Sequence, residues 1–294
     1  ARGVFRAAVA IVFSCCLHAG GQTPDSAPPA TPNLTGIAHV AIRVADLERA
    51  RSFFHQLGFE EAFAMDQGGK PTEAFFKIND RQFIELYPRR DASSAVGFMH
   101  VCFEAADLNA VHQDYVSHGL SPNQVRKAGA GNLLFTLQGP DQPGPPSDLR
   151  GAATQNIEYT QYMPGSRHTL DRGQHLGPNR IADRIAGVGI PFADPAAAET
   201  FYIDKLSFER SDRSLVPGYP TLALPSSPGQ QIEFLPATVA TPSALPFDII
   251  FSVPNLRSTQ KRLNSLGIAA MRHQKAVTIQ DPDGDSIVFV EAHE

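Results

Sequence analysis

The sequence has little cysteine, no excess of basic charge and no long apolar run. Its three cysteines are too few for a disulfide framework. Cys102 lies in an apolar run and is expected to be a small buried hydrophobe. The formal net charge is -5 and the basic residues are scattered, which argues against a nucleic-acid or anionic-membrane partner. With 294 residues, 42% of them hydrophobic, the chain has the length and composition of two globular domains.

The first residues have the pattern of an export signal. Arg2 and Arg6 precede the apolar stretch Ala7–Leu17, and the small residues Ala19, Gly20 and Gly21 follow it. That stretch is too short to span a bilayer. We therefore predict a signal peptide over 1–22 and a protein that is exported, periplasmic or secreted. Cys15 allows a lipid anchor, and residues 23–34, rich in Pro, Ala and Ser, are predicted to be a tether.

Four segments of the chain repeat one order of elements. Each has an apolar strand, a helix that begins at Asp or Asn, a stop at or next to glycine in most cases, and strands that end in an apolar-Glu-apolar run. Glu85 follows His39 by 46 positions, and Glu233 follows Gly187 by the same 46. The segments are Gly36–Pro88, Gly97–Tyr162, Ile185–Pro236 and Phe247–Glu291.

A single βαβββ unit would expose one sheet face and one edge, so units are expected to pair. Pairing predicts an α+β fold with one domain over 35–164 and a second over 185–294. Residues 165–184 are predicted to be the linker between them. Because the units pair within one chain, a monomer is plausible.

Two histidines and two glutamates occupy matching places in the first two units. His39 and His100 lie in first strands, and Glu85 and Glu158 lie in last strands. All four have apolar neighbours, where an unpaired polar group would be costly. Two imidazoles and two carboxylates are a donor set for a divalent metal.

This order of units, with these anchor residues, resembles the vicinal oxygen chelate (VOC) superfamily of glyoxalase I, bleomycin resistance proteins and extradiol dioxygenases. The resemblance implies two VOC domains, each of two paired βαβββ modules that form half-open barrels. It implies metal ligands at His39 in Gly-Ile-Ala-His-Val-Ala-Ile, Glu85, His100 and Glu158, a pattern closest to glyoxalase I. The cofactor would be one divalent ion: Zn, Ni, Co, Mn or Fe(II).

The resemblance implies a lyase or isomerase of glyoxalase type that acts on a small-molecule substrate with two vicinal oxygens. The metal would act as a Lewis acid, with Glu158 the first candidate for the general base and Glu85 the second. One alternative is an Fe(II) ring-cleaving dioxygenase, which would require Glu85 not to coordinate. Another is a non-catalytic protein that binds a small molecule of antibiotic type.

The second half is expected to hold a degenerate site. At the places of the two histidines it has Gly187 and Asp248, and the last-strand carboxylates are expected to survive as Glu233 and Glu291. Without a histidine, this half is not expected to form a second metal site, and it is expected to support the fold or cover the first site.

Four other side chains near the predicted site have open roles. His168 and His175 follow the Glu158 strand and are candidates for acid/base or anion-binding groups in the pocket, with a solvated linker as the simpler interpretation. Tyr87 and Tyr159 are expected to point to the sheet face opposite the glutamates.

Overall fold

The computed structural model describes residues 32–92, 94–143, 154–212, 214–215, 218–237, 244–245 and 247–292. These described residues form one compact unit. The predicted signal peptide and most of the predicted tether lie outside the described residues. No helix within the described ranges is long and apolar enough to cross a membrane.

The secondary structure follows the four predicted units. The first two units and the segment after them contain β1 (Leu34–Val44), α1 (Leu47–Gln56), β2 (Glu60–Gln67), β3 (Lys70–Lys77), β4 (Phe83–Pro88), β5 (Val96–Ala105), α2 (Leu108–Ser117), β6 (Arg126–Lys127), β7 (Leu133–Asp141), β8 (Thr154–Gln161) and α3 (Arg167–Leu170). The last two units contain β9 (Arg184–Pro191), α4 (Pro195–Leu206), β10 (Glu209–Arg210), β11 (Thr221–Leu224), β12 (Ser227–Leu235), β13 (Ala244–Leu245), β14 (Asp248–Val253), α5 (Leu256–Ser265), β15 (Met271–His273), β16 (Ala276–Gln280) and β17 (Ser286–Glu291).

The strands form two sheets with the same topology. The first has the order β2-β3-β4-β1-β5-β8-β7-β6, and the second has β10-β11-β12-β9-β14-β17-β16-β15. In each sheet the first strands of two units lie side by side and antiparallel, and each pairs in parallel with the last strand of its own unit. The predicted α+β architecture of paired βαβββ modules is confirmed. The short strand β13 belongs to the second half of the chain and pairs in parallel with β5 of the first sheet.

The predicted helix starts are confirmed by their caps. Asp46, Asp107, Asp194 and Asn255 each have an extended backbone, and each side chain accepts hydrogen bonds from backbone N–H groups of the first turn. These bonds satisfy N–H groups that have no partner inside the helix. The repeated Asp or Asn therefore has a local structural cause.

The apolar core is continuous between the two sheets. Phe59 lies 5.4 Å from Phe251, and Phe98 lies 5.5 Å from Phe247, measured between ring centroids. Both pairs join residues of different halves within one buried cluster. The exact bounds of two separate domains stay a prediction.

The segment after β8 packs against the first sheet, so the expectation of a solvated linker is wrong for much of it. Lys77 on β3 is fully buried, and its Nζ donates to a carboxylate oxygen of Asp171 at 2.8 Å. A buried ammonium requires a counter-charge, and Asp171 supplies it together with Asp80, whose carboxylate lies 2.9 Å from the same Nζ. Gly58, with φ of +86°, lets the same segment cross close by, because a Cβ there would collide with the carbonyl of Asn179.

Candidate metal centre

The register of four neighbouring strands brings the predicted ligands to one sheet face. Ala41 on β1 lies opposite Glu85 on β4 and opposite His100 on β5. The small Ala41 side chain leaves room between the two longer ones. Two residues earlier on β1, His39 lies on the same face, since side chains alternate along a strand.

The fourth predicted ligand comes from the next strand. His39 lies opposite Cys102 on β5, and Cys102 lies opposite Glu158 on β8. The side chains of His39 and His100 are 3–4% exposed, and that of Glu158 is 12% exposed. The candidate centre therefore consists of two adjacent rows on one face of the first sheet, Glu85 and His100 in one and His39 and Glu158 in the other.

His39 lies at the middle of this group. Its Nε2 is 3.1 Å from Nε2 of His100 and 3.4 Å from Oε1 of Glu158. Its Nδ1 is 3.1 Å from Oε1 of Glu85. Bonds of about 2.1 Å to one metal ion would place neighbouring ligand atoms about 3 Å apart. The spacings from Nε2 of His39 to His100 and Glu158 suit such a centre, whereas Glu85 faces the other ring nitrogen.

The possible ligand atoms fall into two overlapping sets. Among the described residues, such atoms lie within 4.8 Å of one another in the sets His39, Glu85, His100 and His39, Cys102, Glu158. Neither set contains all four predicted ligands, and their coordination of a metal stays a prediction. Cys102 is fully buried as expected, but it faces this polar group as well as apolar neighbours.

The electrostatics of the group fit a bound cation. Burial lowers the pKa of His39 to about 3 and that of His100 to about 4, so both rings are neutral, which is the form that binds metals. Burial, and after it the charge of Glu158, raises the pKa of Glu85 well above its usual range. Burial likewise raises the pKa of Glu158. Two buried carboxylates this close are costly without a cation between them.

Tyr87 was expected to point to the sheet face opposite the glutamates, and this prediction is wrong. Its hydroxyl donates to Oε2 of Glu85 at 2.9 Å, so it shares the face of the glutamate. The reason is simple: residues two apart on a strand point the same way. Tyr159, next to Glu158 in sequence, does point to the opposite face and stacks on Phe135 in the core. Tyr87 thus binds one carboxylate oxygen of Glu85, while the other oxygen faces His39.

His168 lies at the candidate centre, and His175 does not. His168 on α3 is 3% exposed, and its ring stacks on Tyr162 with centroids 4.4 Å apart. It lines a small cavity of about 180 Å³ together with His39, Glu85 and Glu158. Neither ring nitrogen has a hydrogen-bond partner among the described residues, and burial lowers the pKa of His168 to about 3. His175 instead pairs with Asp171 at 2.5 Å.

The second sheet has a carboxylate at two of the four corresponding places and no histidine at any of them, and one predicted match is wrong. Gly189 lies opposite Glu233 and Asp248, as Ala41 lies opposite its two partners. The place of Glu158 is taken by Val288, because Val288 lies opposite Ile250 as Glu158 lies opposite Cys102. Glu291 is three residues further on, and it accepts a hydrogen bond from the N–H of Leu256 instead. Glu291 therefore shares its residue type with Glu158 but not its position in the sheet.

A larger cavity opens from the candidate centre. It has a volume of about 980 Å³, and His100, Glu158 and Tyr87 line part of it. Volumes of this size are typical of small-molecule sites. The group therefore has both a buried inner end and access for a ligand.

A comparison with protein families supports the resemblance. Residues 36–142 match the model of the Glyoxalase/Bleomycin resistance protein/Dioxygenase superfamily. The match ends before β8, and the resemblance inferred from the sequence is confirmed. No curated protein matches the chain.

Solved structures share the fold over most of the chain. The 2,3-dioxygenase LapB from Pseudomonas sp. KL28 superposes with a TM-score of 0.66 at 15% identity, over 90% of this chain and 94% of that one. The Mn(II)-bound glyoxalase from Novosphingobium aromaticivorans gives 0.63 at 17% identity, over 90% and 84%. An extradiol ring-cleaving dioxygenase from B. fuscum gives 0.60 at 14%, over 90% and 74%. At such identities the likeness establishes the fold.

Proposed function

We propose that the chain is a divalent-metal-dependent enzyme of glyoxalase type, a lyase or isomerase, that acts on a small substrate with two vicinal oxygens. The observation that carries this proposal is the spacing at His39. Atoms of three other side chains lie 3.1–3.4 Å from its ring nitrogens, and two of these side chains, His100 and Glu158, also line the large cavity. His39, His100, Glu85 and Glu158 would hold the ion.

A divalent ion bound there would supply Lewis-acid polarisation of a substrate oxygen. The chain itself would move the proton. Glu158 is the first candidate for the base because its side chain is 12% exposed and lines the large cavity. Glu85 is the second candidate, since it is 5% exposed and is held by the hydroxyl of Tyr87. A carboxylate whose pKa is raised towards neutrality is better suited to accept and return a proton.

The surroundings would keep bulk water from the reacting atoms. Phe63, Phe75 and Phe83 close the inner end around the ring of His168. A dry inner end strengthens the electrostatic effects of the polar groups that line it.

A ring-cleaving dioxygenase is the second candidate, and one observation favours it. His39, His100 and Glu85 form a compact set of two histidines and one carboxylate, the ligand type of many non-haem Fe(II) oxygenases. In this set the glutamate is Glu85, whereas the sequence-based alternative required Glu85 not to coordinate. Glu158 would then be free for another role.

Two assays separate the candidates. Protein loaded separately with Mn(II), Ni(II), Zn(II) or Fe(II) is mixed with hydroxyacetone in D₂O, and exchange at the carbons next to the carbonyl is followed by NMR. Oxygen uptake with catechol is measured for the Fe(II) form. Exchange that is lost in Glu158→Gln supports the isomerase or lyase, and Fe(II)-dependent oxygen uptake without exchange supports the dioxygenase. Binding of both compounds without either reaction would contradict both enzymes and indicate a sequestering protein.

A further inference from the structure

One of the two rows at the candidate centre contains a cysteine. Cys102 on β5 lies opposite His39 on β1 and opposite Glu158 on β8, so the three side chains share one sheet face. We call these three residues the cysteine row. Cys102 is fully buried, and the side chains of His39 and Glu158 are 3% and 12% exposed. The thiol is therefore enclosed between an imidazole and a carboxylate.

The equivalent row of the second sheet is apolar. It consists of Gly187, Ile250 and Val288, with Ile250 at the place of Cys102. Ile250 and Val288 belong to a buried apolar cluster. Since the two sheets have the same topology, the fold accepts an apolar side chain at the middle of this row. The three donor residues of the cysteine row are a property of the first sheet and not a requirement of the fold.

The donor atoms of the cysteine row are close enough to share one ion. One ring nitrogen of His39, Sγ of Cys102 and one carboxylate oxygen of Glu158 lie within 4.8 Å of one another. Bonds of about 2.3 Å to sulfur and about 2.1 Å to nitrogen and oxygen would place these atoms about 3–4.4 Å apart. The limit of 4.8 Å is close to the top of this range, so a shared ion requires little movement of the three side chains.

The orientation of the His39 ring places an ion on the side of this row. Its Nε2 faces Glu158 at 3.4 Å and Nε2 of His100 at 3.1 Å, whereas its Nδ1 faces Glu85. An ion bound at Nε2 would therefore lie beside the cysteine row. The contact of 3.9 Å from Sγ of Cys102 to the carbonyl oxygen of Phe103 is long and does not fix the direction of the thiol.

We propose that Cys102 is a further ligand of the divalent ion, through its thiolate, and that its sulfur sets the preference of the centre among metals. This inference rests on the proposed function. Coordination replaces the S–H bond by a sulfur–metal bond and releases the proton to solvent. A thiolate is a soft donor that favours zinc, whereas carboxylates suit manganese. The relative affinity for zinc and manganese should therefore depend on Cys102.

Cobalt reports a sulfur ligand directly. Chelator-treated protein is saturated with Co(II) without air, bound cobalt is measured by elemental mass spectrometry, and the absorption spectrum is recorded. A thiolate on Co(II) gives an intense charge-transfer band in the near ultraviolet, which nitrogen and oxygen ligands do not give. We expect this band in the wild type and in Cys15→Ser/Cys16→Ser, where Cys102 is the one remaining cysteine. Cys102→Ser should bind cobalt without the band.

The affinities for zinc and manganese give the second readout, measured by competition with a chelator. Loss of a group that only supports a metal ligand costs about 10–100-fold in affinity. Loss of the thiolate itself in Cys102→Ser should therefore weaken zinc binding about a hundredfold, and manganese binding by less than about tenfold. Cys102→Ala repeats the measurement without a hydroxyl that could replace the sulfur, and circular dichroism checks that both variants fold.

The outcomes separate this inference from the proposed function. Cobalt bound without the band, or a band that survives Cys102→Ser or vanishes in Cys15→Ser/Cys16→Ser, overturns the sulfur ligand and leaves the metal centre standing. Equal changes in zinc and manganese affinity also overturn it. If the Cys102 variants do not fold, the spectrum of Cys15→Ser/Cys16→Ser decides alone. If none of the three metals binds, the proposed function fails and the inference fails with it.

Discussion

Replacing His168 by phenylalanine should make the metal-free protein less sensitive to acid. The His168 ring is 3% exposed and lies among Phe63, Phe75, Phe83 and Tyr162. In the part of the chain that the structure describes, neither of its nitrogens has a hydrogen-bond partner. A phenyl ring has a similar shape and would leave no buried polar atom. Burial accordingly lowers the pKa of His168 to about 3.

The sign follows from proton linkage. Between pH 6.5 and about 3 the unfolded chain binds a proton at His168 that the folded chain does not. The free energy of unfolding therefore falls as the pH falls through this window, by about 1.4 kcal/mol per pH unit for one group. From pH 7 to pH 5 this amounts to about 2 kcal/mol. His168→Phe removes this loss, and the acid response of the other groups is common to both proteins.

Urea unfolding of chelator-treated protein at pH 7 and pH 5 measures the effect. We expect the wild type to lose about 2 kcal/mol more than His168→Phe between the two values. His273→Phe makes the same change on the exposed strand β15 and controls for the loss of one histidine. Equal losses in wild type and His168→Phe would refute the burial of a neutral imidazole at this place.

Three further substitutions test other contacts. Lys77→Met removes the buried partner of Asp171 and should lower the free energy of unfolding by about 3–5 kcal/mol in urea; an unchanged midpoint would contradict the buried pair. Tyr87→Phe removes the hydrogen bond to Glu85 and should weaken metal binding about tenfold in chelator competition, while unchanged affinity would argue that Glu85 is not a ligand. Glu291→Ala should cost about 1 kcal/mol through the lost contact at the start of α5 and leave metal content unchanged; lost metal would restore Glu291 as a ligand candidate.

The fold was predictable because it repeats. Each unit has an Asp or Asn that caps its helix and the same alternation along its strands, and a βαβββ unit must pair to bury its face. The equal spacing of His39 to Glu85 and of Gly187 to Glu233 corresponds to equal register in the two sheets. Short strands such as β6 and β10 have no such pattern, since two residues cannot show a period.

The candidate site was predictable where it lies on strands. Alternation and repeat position bring His39, His100, Glu85 and Glu158 to one face. The same alternation predicts that Tyr87 lies on this face, since it is two residues from Glu85.

His168 could not be placed from sequence. It lies on a four-residue helix between the repeats, and its position depends on the distant pair of Lys77 and Asp171. Glu291 was misplaced because a short apolar-Glu-apolar run does not define register, whereas the pairing of Val288 with Ile250 does.

The metal content of the purified protein tests the central claim most directly. Protein is equilibrated with divalent ions, freed of excess metal and analysed by elemental mass spectrometry. The His39→Ala and His100→Ala variants are analysed in the same way, and circular dichroism checks that they fold. The account predicts one divalent ion per wild-type chain and its loss in both folded variants. A wild-type protein without stoichiometric metal, or folded variants that retain it, would contradict a metal centre at His39.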